Sequence, residues 1–268
     1  MHRNNCKESK LMTAQSHKLA LLAATLLLGS GAAAVAQADP NAGVRVIHFS
    51  GYEWEVRPPG RGGPGPNQWN PGNVRVDTQG RLHLKITRQG GAWQCAEVST
   101  RRRLGFGRYQ FQVTGTLDRL DPNVVLGLFN FPPPEVGPNG TNEIDIEYSR
   151  WGNPSALPAS ETVYPAHAGL KSTAHPFPMP PGLYDTTQRF LWRSSGIRFQ
   201  SLRGHRDNDQ NEYAHWAYLP AGSLHYIPQR PLPVHINLWL VEGKAPRDGK
   251  EVEIIINCFS FRPLARAK

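Results

Sequence analysis

Residues 142–154 read NEIDIEYSRWGNP. In an extended strand, successive side chains point to opposite faces. Glu143, Asp145 and Glu147 therefore share one face. Ile144, Ile146 and Tyr148 share the other, which predicts a strand over 143–149 with one side packed into a core. β-Branched isoleucines between the acids favour an extended chain over a tight cation-binding loop. Three carboxyls in line repel one another and raise the pKa of at least one, a cost that calls for a reason. Taken alone, the row has three readings: the solvated face of an amphipathic strand, a calcium cluster, or a carboxyl pair in unlike protonation states, as glycoside cleavage requires.

Outward from this stretch, short alternating or apolar runs recur at 44–49, 81–87, 93–99, 107–114, 123–129, 188–193, 197–202, 234–241 and 251–261. Such spacing predicts an all-β sandwich or barrel. No long segment has a 3.6-residue period and no repeat is visible, which argues against a bundle, propeller or solenoid. The chain of 268 residues holds 26 glycines and 24 prolines, well above the roughly 12% of average proteins, and they punctuate the strands as turns. Two stretches are expected as long loops, 57–72 (RPPGRGGPGPNQWNPG) and 152–182. Loops of that length in a compact domain are often functional. Too few residues precede the first for it to be a domain linker.

Arg3, Lys7, Lys10 and Lys18 precede the apolar run LALLAATLLL at 19–28, and small residues follow up to AAAVAQADP. This is the pattern of a secretory signal, with cleavage expected after Ala36 or Ala38. The apolar run is too short for the roughly 20 residues of a spanning helix. The expected product is secreted or periplasmic and has no membrane attachment. Without residues 1–38, 26 Lys and Arg face 20 Asp and Glu, a net charge of +6. The one dense basic cluster, Arg101-Arg102-Arg103, lies beside an expected turn and reads as solvated, so no nucleic-acid partner is expected. Cys6 leaves with the signal; Cys95 and Cys258 either pair or remain buried thiols. Metal-binding motifs such as CxxC and HExxH are absent.

With the flanks included, NEIDIEYSRWGNP resembles the E-x-D-x-E active-site strand of glycoside hydrolase family 16, the lichenase and laminarinase-like endo-glucanases. Other segments are similar to that family in the same order. NQWNPGNVRVDTQGRLHLKIT and AEVSTRRRLGFGRYQFQV precede the acidic strand, and QRFLWRSSGIRFQSL, PVHINLWLVEG and EVEIIINCFSF follow it. The resemblance spans roughly residues 45–262. It implies a jelly-roll β sandwich of two curved antiparallel sheets (concanavalin A-like) with a sugar cleft on the concave face, residues 39–268 being one catalytic domain. It also implies a retaining reaction by double displacement, with Glu143 as nucleophile, Glu147 as general acid/base and Asp145 between them, orienting Glu143.

The family likeness further aligns Glu97, Asn237 and Trp239 with cleft-lining positions. Asn237 and Trp239 alternate with Ile236 and Leu238, so both can face one side. Trp151, just after the acidic strand, is positioned to stack on a neighbouring sugar. Trp69 and Trp93 are equally readable as platforms or core, and Trp192 as outer sheet or core. His167 and His175 are expected at the surface. The unbroken E-x-D-x-E spacing is the lichenase-like form and leans the substrate toward a mixed-linkage or β-1,3-type glucan. Where lichenase-like relatives carry Arg two residues after the Glu97 position, this chain has Ser99. A polysaccharide substrate and a monomer are expected. No cofactor is required, although the family leaves room for a structural calcium. A transglycosylase or acidic-galactan hydrolase on the same strand, and a non-catalytic carbohydrate-binding jelly roll, are the alternatives.

Overall fold

A computed structural model describes residues 43–265. The expected signal sequence lies outside the described residues. Inner-sheet strands run in the spatial order β1 (Val46–Phe49), β2 (Tyr52–Val56), β7 (Ala92–Thr100), β16 (Val234–Leu240), β9 (Val124–Asn130), β10 (Glu143–Tyr148), β11 (Ala159–Tyr164) and β12 (Thr173–Phe177), every pair antiparallel. The outer sheet is β5 (Val74–Val76), β6 (Leu82–Gln89), β17 (Val252–Pro263), β8 (Gly107–Thr114), β13 (Asp185–Arg193), β14 (Gly196–Arg203) and β15 (Glu212–Tyr218), again antiparallel throughout. The molecule is a jelly-roll β sandwich of two curved sheets. No helix among the described residues is long and apolar enough to cross a membrane.

Alternation builds the core. Ile144, Ile146 and Tyr148 of β10 are fully buried, beside Leu126 and Leu128 of β9 and Ile236 and Leu238 of β16. They face the aromatic layer of the outer sheet, where Tyr109 stacks on Phe190 at 4.5 Å and Phe259 packs against Phe111 and Trp54. Ring packing of this kind adds roughly 0.5–1.5 kcal/mol per pair beyond area burial. One polar chain crosses the core. Tyr148 and Tyr213 share a hydrogen bond of 3.0 Å, Gln188 donates to Tyr213, and Ser201 donates to Gln188. Buried hydroxyls and amides need such partners.

Several expectations are corrected. The stretch 57–72 is not simply a loop: β3 (Gly60–Gly62) and β4 (Asn67–Trp69) form a hairpin there, and β4 runs parallel to the start of β7. The stretch 152–182 holds β11 and β12. The sequence of β11, ASETVY, is polar at several positions, and that of β12, TAHPF, carries a proline, which this terminal strand tolerates because one of its edges needs no ladder partner. Strands β2, β5 and β15 were also unanticipated. Cys95 is a buried free thiol that donates to Asn67 Oδ1 at 3.2 Å, so no Cys95–Cys258 bond forms. Arg101 pairs with Glu55 and Arg103 with Glu135, in keeping with a surface turn.

Candidate active site

The outward face of the inner sheet carries a cleft of about 570 Å3. Its floor follows directly from register. Glu147 pairs with Gly127, Gly127 with Asn237, and Asn237 with Glu97, so these four residues form one row across β10, β9, β16 and β7. The next row is Asp145, Phe129, His235 and Ser99. Glu143, Asp145, Glu147, Glu97, Trp151, Asn237 and Trp239, all singled out from sequence, line this one cleft. Trp69 and Trp192 are core residues, at 2% and 0% exposure. Trp93 is half-buried and away from the cleft.

Burial dominates the electrostatics of the acidic strand. It pushes Glu143 up to about 7 and Glu147 up to about 8, the latter helped by the charge of Glu143. Asp145 is 3% exposed. Burial, then the charges of Glu143 and Glu147, hold its carboxyl well above the usual range. A hydrogen bond between Asp145 and Glu143 lowers the latter's pKa and raises the former's, as expected when protonated Asp145 donates to ionised Glu143. The three carboxyls interact closely and titrate as a set rather than singly.

Asn237 is 3% exposed and its Oδ1 has no hydrogen-bond partner among the described residues. An unmet buried acceptor is costly, and the residue that carries it lines the cleft. Trp239 and Trp151 meet edge to face at 6.0 Å, and Trp151 is 45% exposed. Trp151 is in the left-handed region, with φ of 51°, an uncommon conformation for a bulky residue. Its N–H donates to Ser149 Oγ at 3.0 Å, which holds the turn that projects the ring.

Glu97 is not free. Arg57 Nη1 donates to its Oε2 at 2.7 Å and His235 Nδ1 meets its Oε1 at 3.1 Å. Burial pushes the Glu97 carboxyl up, but these two contacts outweigh it and hold the group below its ordinary value. Arg57 in turn lies 4.0 Å over the Trp69 ring, a cation–π contact.

Arg57, Gly63, Pro64, Phe129, Phe131, Asn139, Tyr164 and His235 line the cleft without having been singled out for it. For three of them a signal was present. Phe129 and Phe131 alternate with Gly127, and His235 precedes Asn237 by two, so each lies on the acid-row face. His167 and His175 lie outside the cleft; the latter stacks on Trp216 at 5.2 Å and meets buried Glu161 at 3.2 Å. Among the described residues, no group of three or more His, Cys, Asp or Glu side chains is arranged to hold a metal ion.

The architecture is a two-sheet jelly roll with an acid-lined cleft on one face. The sequence itself matches no family model and no curated protein. Among solved structures, a β-glucanase of Bacillus licheniformis superposes with a TM-score of 0.57 at 19% identity, over 78% of this chain and 91% of that one. A prokaryotic β-1,3-1,4-glucanase (lichenase) from a mouse hindgut metagenome gives 0.56 at 22% identity, over 79% and 93%. A Mycobacterium tuberculosis protein described as an immunostimulatory antigen and pseudo β-1,3-glucanase gives 0.56 at 22%, over 76% and 88%. A family 16 glycosyl hydrolase of Mycobacterium smegmatis gives 0.54 at 19%, over 76% and 89%. At these identities the likeness is one of fold.

Proposed function

We propose that this protein is a secreted retaining endo-glycosidase that hydrolyses a β-linked glucan of mixed-linkage or β-1,3 type. The observation that carries the reading is the acid row: Glu143, Asp145 and Glu147 share one face of one strand and line one cleft, Asp145 buried between two half-buried glutamates. A neighbour described as a pseudo-glucanase has the same fold, so the argument rests on the side chains.

In the first step, ionised Glu143 attacks the anomeric carbon from the face opposite the leaving group. Protonated Glu147 gives its proton to the departing glycosidic oxygen. The products are a glycosyl ester on Glu143 and a shortened sugar chain. In the second step, Glu147, now a carboxylate, takes a proton from water as that water attacks the anomeric carbon and expels Glu143. Asp145 keeps a proton directed at Glu143 and so stabilises the departing carboxylate. Trp151 and Trp239 supply stacking faces, and Asn237 Oδ1 an acceptor for a sugar hydroxyl.

The test is a reducing-sugar assay on barley mixed-linkage glucan, laminarin, xyloglucan and agarose, with wild type beside Glu143→Gln and Glu147→Gln. The expected result is release from one β-glucan with retained anomeric configuration, reduced at least 10³-fold in Glu143→Gln. Equal release by wild type and Glu143→Gln removes the acid row from the mechanism. Release of longer products would instead indicate transfer to a sugar acceptor.

A further inference from the structure

Glu97 has both carboxylate oxygens occupied, one by Arg57 at 2.7 Å and one by His235 at 3.1 Å, and its side chain is only 12% exposed. Little of it is left to meet a ligand. His235 is differently placed. Its Nδ1 is bound to Glu97, its ring is packed 5.1 Å from Phe129 and 5.8 Å from Phe131, and it lines the cleft. The Glu97 carboxylate at Nδ1 holds a ring proton on that nitrogen and leaves Nε2 as the ring atom available to a ligand. That nitrogen has no protein partner among the described residues.

The register fixes where this group acts. Asp145 pairs with Phe129 and Phe129 with His235, so His235 lies two strands from the acid row, roughly 10 Å across the sheet. It is too far to touch the bond being cleaved and well placed for a sugar farther along the chain. Ser99, directly opposite His235, is short and offers no cation there.

We infer that His235 is a substrate-binding residue of a flanking subsite, that its Nε2 forms a hydrogen bond with a hydroxyl of a neutral sugar, and that Glu97 is a positioning residue acting through His235 and Arg57. The inference rests on the glycosidase reading above and assigns the chemistry of one end of its cleft. The Glu97 carboxylate and the Arg57 guanidinium are paired with each other, so no free cation stands beside His235, and an uncharged sugar fits this position. A carboxylated or sulfated sugar would sit against the Glu97 charge without a free cation to answer it.

The experiment measures both binding and turnover. Binding of laminari- and mixed-linkage tetrasaccharides is followed by calorimetry in the Glu143→Gln protein, and kcat and KM are measured on the polymer in the otherwise wild-type protein. His235→Ala should weaken tetrasaccharide binding roughly 3- to 10-fold, the range of one neutral hydrogen bond. It should raise KM with little change in kcat, and His235→Gln should recover part of the loss. Glu97→Gln should cost a similar factor alone and nothing further when added to His235→Ala. Full additivity would mean that Glu97 touches the sugar itself and would overturn the inference, as would unchanged binding in His235→Ala while the Glu143→Gln parent binds. Failure of that parent to bind any glycan would overturn the glycosidase reading together with this one.

Discussion

A Cβ placed on Gly127 would lie 2.4 Å from Oδ1 of Asn237. Gly127 separates Glu147 from Asn237 in the row across the sheet, so the absence of its side chain is what lets Asn237 occupy the cleft floor. Gly127→Ala should displace the Asn237 amide and cost about 1–3 kcal/mol of stability, the range for overpacking. Chemical denaturation and glycan affinity would both register it. Adding Asn237→Ala should restore the stability and leave the affinity low, which separates steric strain from the loss of a ligand contact.

Activity should follow a bell-shaped pH profile centred between about 7 and about 8. Glu143 has to be ionised to attack, and its carboxyl is raised to about 7, so the rate falls on the acid side. Glu147 has to be protonated to donate, and it is raised to about 8, so the rate falls on the alkaline side. The Asp145 hydrogen bond lowers Glu143. Asp145→Ala should therefore shift the acid limb to higher pH in a kcat/KM profile. An acid limb that stays in place would show that Asp145 does not set the ionisation of Glu143.

Glu161 gives an independent pH signature in stability. It is fully buried on the core side of β11, one carboxylate oxygen has no partner among the described residues, and burial raises it from 4.5 to about 8. Between those values the folded chain holds a proton that the unfolded chain has released. The resulting contribution is complete below about 4.5 and is lost as pH rises to about 8, on the order of 5 kcal/mol. Unfolding midpoints in Glu161→Gln should vary less with pH over that interval than in wild type. Equal slopes in the two proteins would contradict the assignment.

Asp77 has the opposite sign. Its carboxylate accepts from the backbone of Gln79 and Arg81 and from the side chains of Arg81 and His83, tying the β5–β6 turn together. Although burial alone would raise it, these hydrogen bonds hold it well below the ordinary carboxylate value. Its contribution is therefore present above the unfolded value near 3.8 and is lost as pH falls through the folded one. Asp77→Ala should cost about 1–3 kcal/mol at neutral pH, with the difference from wild type narrowing in strong acid. Denaturant titrations at two pH values would measure it.

Cys95 should be silent to thiol reagents in the native state. It is fully buried, and desolvation pushes its thiol up to about 12, so almost no thiolate is present to react. Mass spectrometry after iodoacetamide treatment should find the Cys95 peptide unmodified until denaturant is added.

The acidic strand was legible because a period-two pattern carries both its face and its burial. Glu143, Asp145 and Glu147 fall in the cleft, and Ile144, Ile146 and Tyr148 in the core, as alternation requires. Strand β11 was not legible, because its inward positions include Glu161 and its pattern does not separate apolar from polar. Strand β12 hides behind Pro176, which residue statistics count against a strand and an edge position permits. The cleft contributions of Gly63 and Pro64 depend on the β3–β4 hairpin folding back over the inner sheet, and that of Arg57 on β2 pairing with β7, tertiary events with no local signature. His235 was a different omission: its spacing to Asn237 already put it on the right face.

Strand β7 belongs to both sheets at once. Its first residues, Ala92–Gln94, form a hairpin with the end of β6, while Ala96–Ser99 pair with β16 on the cleft floor. Glu97 comes two residues after Cys95, where the parallel contact with β4 ends. A load applied at this end of the cleft is therefore transmitted through one continuous backbone to the opposite wall of the molecule. Widening the groove there would strain both ladders together, so the width of the groove is set by the same backbone that joins the two sheets.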